Sequence, residues 1–551
     1  MKESPSPMSM AVEHVPVVEH FRQILLWPLE LIPIRADEQI QRHWRLLRSP
    51  QPGGPWREVE DEFTGDPKLF QERHYSEFVT FLPYVQRFLY GEGDGAGAGQ
   101  SPIRVFRRTD VARARLTFPD DAAPVELELT HVDLYFFYDI DVVILAVELA
   151  GERLPLPRVQ EALYRLGRAY PTHWEPSGHG GHCLARVEWL TADGKVLAVS
   201  DYEKREKFLE HVCRYRAPAI AAHWEFLLTP IVPHHSSQAG ELRYRPIEYH
   251  RMPVLGYLAL GNGRPLTRGE FVRLGLVTAS GPAHTLPFSE PHVADFEARF
   301  CYDRYWQDGS GGTRYLCSGE AFMMVGNAAD RYFADGETGL LAHFRHQHFL
   351  LFLIAHFHKA ALVMMSDRLV DAVNRLDIQD AESVKRFKRT IRLLKEIFLR
   401  FTHRYWFHEV SDQAQARALY RMAHEALDTD RLFAEVRDEI QDMSEYLDSD
   451  SLRRQANMVI RLTVVTIVGL IGTISTGFLG MNLIAAADAH PFLKLGYFAI
   501  VLVPTIVLTG YSIMKSKRLS DFLEALADER MSTRRKLGTF VDVWRRRRRE
   551  P

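Results

Sequence analysis

Two long uncharged segments near the C-terminus constrain the fold of this chain more than any other feature. Residues 462–487 form a run of 26 residues without a charge, and residues 495–514 form another of 20. Each run is long enough to cross a hydrocarbon core of about 30 Å as a helix. The alternative, two buried helices of a water-soluble domain, is less favoured because uncharged runs of this length are rare outside membranes. We therefore expect two membrane spans, at 459–481 and 495–514.

Basic residues flank the two predicted spans and indicate their orientation. They precede the first uncharged run at Arg453, Arg454 and Arg461, and they follow the second run at Lys515, Lys517 and Arg518. The connecting segment 482–494 carries much less charge. Because positively charged flanks stay on the cytoplasmic side, we expect a two-span protein of the inner (cytoplasmic) membrane. Both termini and the basic tail 515–551 are then cytoplasmic, and the segment 482–494 is an extracytoplasmic loop.

The composition limits what the rest of the chain does. Its 551 residues are 46% hydrophobic and 25% charged, close to the globular average, so most of the chain is predicted to be water-soluble. The 68 Lys and Arg against 71 Asp and Glu leave a formal charge of −3, which argues against a nucleic-acid binder. No nucleotide-binding glycine loop or catalytic motif is evident, so we expect neither an enzyme nor a resident cofactor.

The N-terminal part, residues 1–338, has the pattern of an enlarged α+β domain made of one or two structural units. Alternating and solid apolar stretches predict strands within 125–149, with a turn near 139–141, and within 185–190, 254–260 and 314–325. Helical spacing predicts helices within 75–90, where Pro83 is a candidate interruption, and within 157–169. The glycine-rich stretch 91–99 holds neither a helix nor a strand and is predicted to be a flexible loop.

The pattern becomes helical from residue 339, and residues 339–458 are predicted to form a helical stalk. We expect helices at 339–376 and 381–407 and a third that starts at residue 412. Because nothing interrupts the third pattern before the first span, it predicts one rod of about 105 Å from 412 to 481. A rod of that length suits a stalk that joins a cytoplasmic domain to the membrane.

A short motif stands at the outer end of the first predicted span: Gly480-Met481-Asn482, followed by a short loop, a second span and a basic tail. In this position the tripeptide resembles the signature of the CorA-type magnesium channel family. The resemblance covers the layout of residues 340–520. It implies a funnel-shaped homopentamer in which the first spans line the pore and the second spans form the outer ring. The N-terminal domain is longer than is usual in that family.

The resemblance places the selectivity filter at Gly480, Met481 and Asn482. A hydrated dication such as Mg²⁺ keeps several of its waters, and a ring of carboxamides from Asn482 accepts hydrogen bonds from those waters. The alternative is that Asn482 is an ordinary helix C-cap. The family commonly has an acidic residue soon after this asparagine, whereas here the first is Asp488, which we expect to attract cations at the outer loop.

One face of the first span combines small polar and apolar residues. Counting back from Asn482, this pore stripe consists of Gly477, Thr473, Leu470, Thr466, Thr463 and Val459. Hydroxyl groups pass a hydrated ion, and rings of Leu470 and Val459 are able to gate a pore by dewetting. The alternative is that the threonine hydroxyls bond only to carbonyl groups of their own helix.

An acidic segment lies in register below the pore stripe. Residues 428–450 contain nine acidic and two basic residues, a local charge of −7. Five such helices side by side need neutralising cations, and the resemblance implies regulation by cytoplasmic Mg²⁺. Asp438, Asp442 and Glu445 are the predicted regulatory ligands. The alternative is a solvated acidic face.

Together these features predict transport of a divalent cation, principally Mg²⁺, with the chain itself, membrane lipids and divalent ions as partners and no nucleic acid. Two alternatives stay open: a zinc transporter of the ZntB type, and a non-transporting two-span anchor for a sensor domain. Histidine-rich clusters occur at His343, His346 and His348 and at His179, His182 and Cys183. Their spacings lack a full tetrahedral set, so they are interpreted as surface histidines and not as zinc ligands.

Overall fold

The computed structural model describes residues 15–34, 42–48, 54–59, 71–91, 102–247, 251–261, 264–307, 311–377, 380–480 and 490–514. Contacts divide the chain into two units, Met1–Ile440 and Gln441–Pro551. Residues 339–440 therefore pack with the α/β part. The glycine-rich stretch 92–99 and the basic tail 515–551 lie outside the described residues.

The secondary structure alternates short helices with strands and ends in long helices. The strands are β1 Val17–Leu31, β2 Trp56–Glu58, β3 Ile103–Arg108, β4 Arg113–Phe118, β5 Asp121–Phe137, β6 Val142–Pro155, β7 Arg186–Leu190, β8 Val196–Val199, β9 Val232–Pro233, β10 Arg243–Pro246, β11 Val254–Leu260, β12 Cys301–Gln307, β13 Gly311–Cys317 and β14 Ala321–Asn327. The helices are α1 Arg45–Arg48, α2 Glu72–Thr80, α3 Pro83–Tyr90, α4 Leu156–Arg165, α5 Arg205–Tyr215, α6 Ala222–Leu228, α7 Arg268–Gly275, α8 Glu290–Phe300, α9 Arg331–Ala334, α10 Leu340–His343, α11 Phe349–Asn374, α12 Ala381–Arg404, α13 Ala414–Leu427, α14 Thr429–Gly480 and α15 Pro491–Met514, with a π-helical turn, Phe344–His348, between α10 and α11.

The strands of the described residues join in one mixed sheet, in the order β12-β13-β14-β11-β1-β6-β5-β4-β7-β8, with β10 and β3 as side branches that also pair β9 and β2. Most neighbours are antiparallel, whereas β11 and β14 run parallel. The longest ladder joins β1 to β6, from Val17 opposite Pro155 to Glu30 opposite Val142. This sheet is the framework of the large N-terminal α/β domain.

Successive residues of the central strands point to opposite faces of the sheet, and both faces are buried. In β6, Leu145 and Val147 belong to one apolar core, whereas Ile144 and Ala146 belong to the other. A strand that is covered on both faces needs apolar residues at every position. This explains the solid apolar pattern that predicted a strand here, and that prediction is confirmed.

Helices cover the two faces of the sheet. Side chains of α4, α6 and α7 share the core of the first face, and those of α3, α11, α12 and α13 share the core of the second. Helix α11 is buried around most of its circumference, as expected for a helix enclosed by other elements. Its Phe357 stacks on Phe137 of β5 with ring centroids 3.9 Å apart.

Strand β1 contains Pro28, although proline removes a backbone donor from a central strand. On one side β1 pairs with β11 as far as Leu25, and from Leu29 onward it pairs with β10. Pro28 therefore lies where the neighbouring strand changes. Proline is atypical of a central strand, and no strand was predicted at 17–31.

The helical pattern at 75–90 forms two helices, and the interruption expected at Pro83 is confirmed, because Pro83 is the first residue of α3. Two other predicted elements differ from the structure because of local backbone geometry. The strand predicted at 314–325 is the antiparallel pair β13 and β14. The single rod predicted from residue 412 is wrong, because α13 ends at Leu427 and Asp428 has a left-handed backbone with φ of 52° before α14 begins. Aspartate tolerates that conformation, and no glycine or proline marks the end of the helix at this point.

The described part of the second unit is helical. It contains the continuation of α14 as far as Gly480 and the whole of α15. The two helices approach closely at Gly472, where a Cβ atom would lie 3.9 Å from Cγ2 of Thr505. A Cβ atom at that distance would be in ordinary van der Waals contact with Thr505.

Candidate functional site

The pore stripe predicted on the first span lies on an open face of α14. Val459 and Leu470 are 62% and 59% exposed within the single chain. Thr463, Thr466 and Thr473 are exposed as well, and nothing lies within 4 Å of the Cβ position of Gly477. Within the described residues, no neighbouring side chain covers this face.

Helix α15 contacts the opposite face of α14. At about 100° per residue, Val464 and Gly472 lie roughly 140° and 220° around the helix from Val459. Val464 is 3% exposed, and Gly472 is the residue that approaches Thr505. The hairpin therefore covers one face and leaves the pore stripe available to another molecule.

The threonines of the pore stripe donate hydrogen bonds to their own helix. Oγ1 of Thr463, Thr466 and Thr473 lies 2.9 Å from the carbonyl oxygens of Val459, Leu462 and Gly469, respectively. This is the arrangement that the alternative interpretation expected. It does not consume the acceptor capacity of the hydroxyl, because each oxygen has two lone pairs beyond the donated proton.

The predicted filter lies at the edge of the described residues. Gly480 is the last residue of α14, and nothing lies within 4 Å of its Cβ position. Met481, Asn482 and Asp488 lie outside the described residues.

The predicted regulatory carboxylates are exposed along α14. Asp438 accepts a hydrogen bond from Nε of Arg437 at 2.9 Å, and Glu445 accepts one from Nε2 of Gln441 at 2.9 Å. Asp442 is exposed on the same helix. Hydrogen bonds and ion pairs at such exposed positions contribute little to stability. Because the carboxylates are exposed, they are accessible to cations from solution.

By length and hydropathy, one helical stretch among the described residues is able to cross a membrane, Leu340–Asn374, with mean hydropathy 1.7. However, 78% of its most apolar window is buried in the α/β unit, where α11 packs between the sheet and other helices. Shorter apolar helical stretches occur at Met458–Ile467 and Pro491–Thr505, and they overlap the two predicted spans.

The histidine-rich clusters separate in the structure. His348 is buried in the core, so its predicted surface location is wrong, and Cys183 is buried as well. Burial lowers the pKa of His348 to about 3 and raises the pKa of the Cys183 thiol to about 12. A buried neutral thiol is a poor metal ligand.

His346 has partners that the sequence analysis missed. It lies beside His74 and Glu77 of α2, and the ligand atoms of the three side chains lie within 4.8 Å of one another. The available signal was the spacing of a histidine and a glutamate three residues apart on a helix, which places both on one face. Their approach to His346 depends on the tertiary fold.

Apolar side chains of both C-terminal helices face outward, with Leu462 and Ile500 67% and 68% exposed. Such surfaces are expected of a protein whose C-terminal part lies in an apolar environment. Residues 370–518 match the family model described as CorA-like Mg2+ transporter protein, so the predicted resemblance is confirmed over this part of the chain. The family is located in membranes. The match starts near the end of α11 and does not include the sheet. No curated protein and no solved structure matched the chain.

Proposed function

We propose that the chain transports divalent cations, principally Mg²⁺, across the cytoplasmic membrane as a funnel-shaped homopentamer. In this proposal residues 459–481 line the pore, residues 495–514 form the outer ring, and both termini are cytoplasmic. The family match to residues 370–518 supports divalent-cation transport as the function.

The observation that carries the proposal is the division of α14 into two faces. One face meets α15 at Gly472 and Thr505, and the other carries the uncovered pore stripe. A helix pair alone encloses no path for an ion. Copies arranged around an axis, with α15 outside, place the threonine oxygens of the pore stripe toward that axis.

Within this arrangement Leu470 and Val459 form apolar constrictions, and the threonine oxygens between them accept hydrogen bonds from ion-bound waters. Gly480, Met481 and Asn482 form the outer selectivity filter, and Asp488 attracts cations to its mouth. Asp438, Asp442 and Glu445 bind cytoplasmic Mg²⁺, whose charge offsets the repulsion among neighbouring acidic helices and holds the pore closed.

Passive entry of the ion is energetically sufficient. A dication entering a cell gains about 4.6 kcal/mol per 100 mV of membrane potential, from about 2.3 kcal/mol per elementary charge. The proposal therefore requires no nucleotide hydrolysis and no coupled ion.

Two other functions make different demands on α14. A zinc transporter of the ZntB type uses the same layout and differs in the ion that passes the filter. A two-span anchor for a sensor domain needs no polar face on its first span, so the threonines of the pore stripe favour transport.

The test is ion flux into liposomes that contain only the purified full-length protein. We expect Mg²⁺ uptake by the wild type, and its loss in Asn482→Ala without loss of assembly, because the substitution removes the carboxamide ring. Asn374→Ala, at the exposed end of α11, is the matched control and retains flux. Native mass measurement is expected to give pentamers. Monomers or dimers only, or an assembled Asn482→Ala protein with unchanged flux and selectivity, contradict the proposal.

A further inference from the structure

Three side chains with metal-binding chemistry converge inside the α/β unit, far in sequence from the predicted pore. His74 and Glu77 are almost fully buried on α2, and His346 is partly exposed on the π-helical turn. Oε2 of Glu77 lies 3.0 Å from Nδ1 of His346, and the two imidazole rings are 5.8 Å apart between centroids.

The local structure holds the two elements together. His74 and Glu77 are three residues apart and so share one face of α2. The turn Phe344–His348 is π-helical, a feature frequently found at functional sites in helices. Nε2 of Gln347 donates to Oγ of Ser76 at 3.0 Å, which ties the π turn to α2 beside the cluster.

A hydrogen bond from Tyr90 orients the carboxylate of Glu77. The hydroxyl of Tyr90 donates to Oε1 of Glu77 at 2.6 Å, and the other oxygen, Oε2, faces His346. Hydrogen bonds of this kind fix the direction of a metal ligand and make it more effective.

The three side chains also line a cavity of about 410 Å³. Charged groups around the cavity are balanced, because its lining includes three arginines and three carboxylates: Arg73, Arg107, Arg345, Glu77, Asp133 and Glu148. Two of the arginines are paired, Arg107 with Asp133 at 2.8 Å and Arg345 with Glu148 at 2.7 Å. The formal charges of these six groups therefore sum to zero when the carboxylate of Glu77, itself a proposed ligand, is included.

We propose that His74, Glu77 and His346 bind one Zn²⁺ ion, with a water molecule from the cavity as the fourth ligand. Two imidazoles and one carboxylate with an open fourth position are a recurrent zinc ligand set. Zinc bonds of about 2.0–2.2 Å place tetrahedral ligand atoms about 3.3 Å apart. Separations of 3.0 Å to at most 4.8 Å reach that value by side-chain rotation.

The donor set selects against magnesium. Mg²⁺ prefers oxygen ligands in octahedral geometry, whereas imidazole nitrogen suits zinc and neighbouring transition metals. The zinc site is therefore chemically distinct from the acidic segment of α14, and it does not depend on which ion the protein transports. The open fourth position lets the bound ion exchange with solution through the cavity.

The test is zinc binding by full-length protein in detergent, treated with chelator and then dialysed against ZnCl₂ with excess Mg²⁺. We expect one zinc per chain to remain bound, and substitution by Co²⁺ to give visible absorption bands typical of tetrahedral coordination. His346→Ala and Glu77→Gln are each expected to weaken zinc binding at least about 100-fold. Substitutions of residues that only hydrogen-bond to a metal ligand typically weaken binding about 10–100-fold. Glu77→Gln preserves the shape of the side chain and so guards against loss through misfolding.

His343→Ala is the matched control, because His343 is in the helical turn just before the π turn and is not one of the three ligands. It is expected to retain the zinc. Absence of retained zinc in the wild type, wild-type affinity in both ligand variants, or an equal loss in His343→Ala would each overturn the proposal. Ion flux is measured separately, so failure of transport leaves this result unaffected.

Discussion

Oε2 of Glu77 lies 3.0 Å from Nδ1 of His346, although one residue belongs to α2 near the N-terminus and the other to the π-helical turn that precedes α11. The sheet and its covering helices bring these two positions together. A buried carboxylate beside an imidazole, with the second oxygen held by Tyr90, is an arrangement that a metal ion is able to use.

Tyr90→Phe tests whether the hydroxyl of Tyr90 positions Glu77 in the proposed zinc site. Removal of the hydroxyl that donates to Oε1 of Glu77 is expected to weaken zinc binding about 10–100-fold, because the carboxylate loses its orientation. Tyr75→Phe is the control, since Tyr75 is 60% exposed on α2, the helix that carries Glu77. Competition with a zinc chelator measures both affinities, and equal affinities would show that Tyr90 does not position the ligand.

Arg368→Ala tests the ion-pair network beneath α11. Nε of Arg368 donates to Glu30 at 2.7 Å and Nη1 donates to Asp141 at 2.8 Å. Removal of Arg368 takes away the cation that bridges two buried carboxylates, which then keep only the longer contacts with Arg245 and His43. We therefore expect a loss of about 3–5 kcal/mol in the free energy of unfolding.

The control for this network is Arg375→Ala, which breaks an exposed pair with Asp371 on the same helix. Such pairs contribute about 0.3–0.5 kcal/mol. Denaturant unfolding monitored by near-ultraviolet circular dichroism compares the two variants. Similar losses in both would show that the network of Arg368 is not a major source of stability.

Buried histidines predict loss of stability in acid. Burial, together with a smaller effect of the nearby charge of Lys359, lowers the pKa of His356 on α11 from about 6.5 in the unfolded chain to about 3. The folded state therefore binds this proton less readily. The resulting stability is fully present above pH 6.5 and is lost as the pH falls from 6.5 toward 3.

The corresponding experiment measures unfolding between pH 7 and 4. His356→Leu is expected to reduce the slope of unfolding free energy against pH by up to about 1.4 kcal/mol per pH unit. His20→Gln is the control, because the side chain of His20 is half exposed. An unchanged slope in His356→Leu would contradict this origin of acid sensitivity.

Leu470→Ser tests the proposed apolar constriction. Serine hydroxyls in place of the ring of five leucine side chains are expected to keep the constriction hydrated and to raise Mg²⁺ flux in liposomes. Val465→Ser, on another exposed part of α14 away from the pore stripe, is the control and is expected to leave the flux unchanged. Equal effects of the two substitutions would remove the distinction between the faces of α14.

The double variant Asp442→Asn and Glu445→Gln tests regulation. Loss of two carboxylates per chain is expected to let flux continue at internal Mg²⁺ concentrations that close the wild type. Glu439→Gln, which removes a charge from a neighbouring exposed position of α14, is the control. Flux measured against internal Mg²⁺ decides the question, and wild-type inhibition in the double variant would place regulation elsewhere.

The sequence by itself determined the features that depend on local pattern. The short apolar stretch 254–260 predicted β11 with its observed bounds. The turn around Asp139 between β5 and β6 was likewise readable from neighbouring residues. The family resemblance rested on a motif and its position, and it was confirmed over residues 370–518. Such features lie within one element or one short segment, so they need no knowledge of distant partners.

Only the tertiary structure decided the rest. Pro28 is accommodated in β1 because the neighbouring strand changes there, and α13 and α14 separate at Asp428 while α13 packs against α11. The meeting of His74 and Glu77 with His346 requires the folded α/β unit. These outcomes depend on contacts between residues that are distant in the chain. Local propensity does not determine which distant segments pack together.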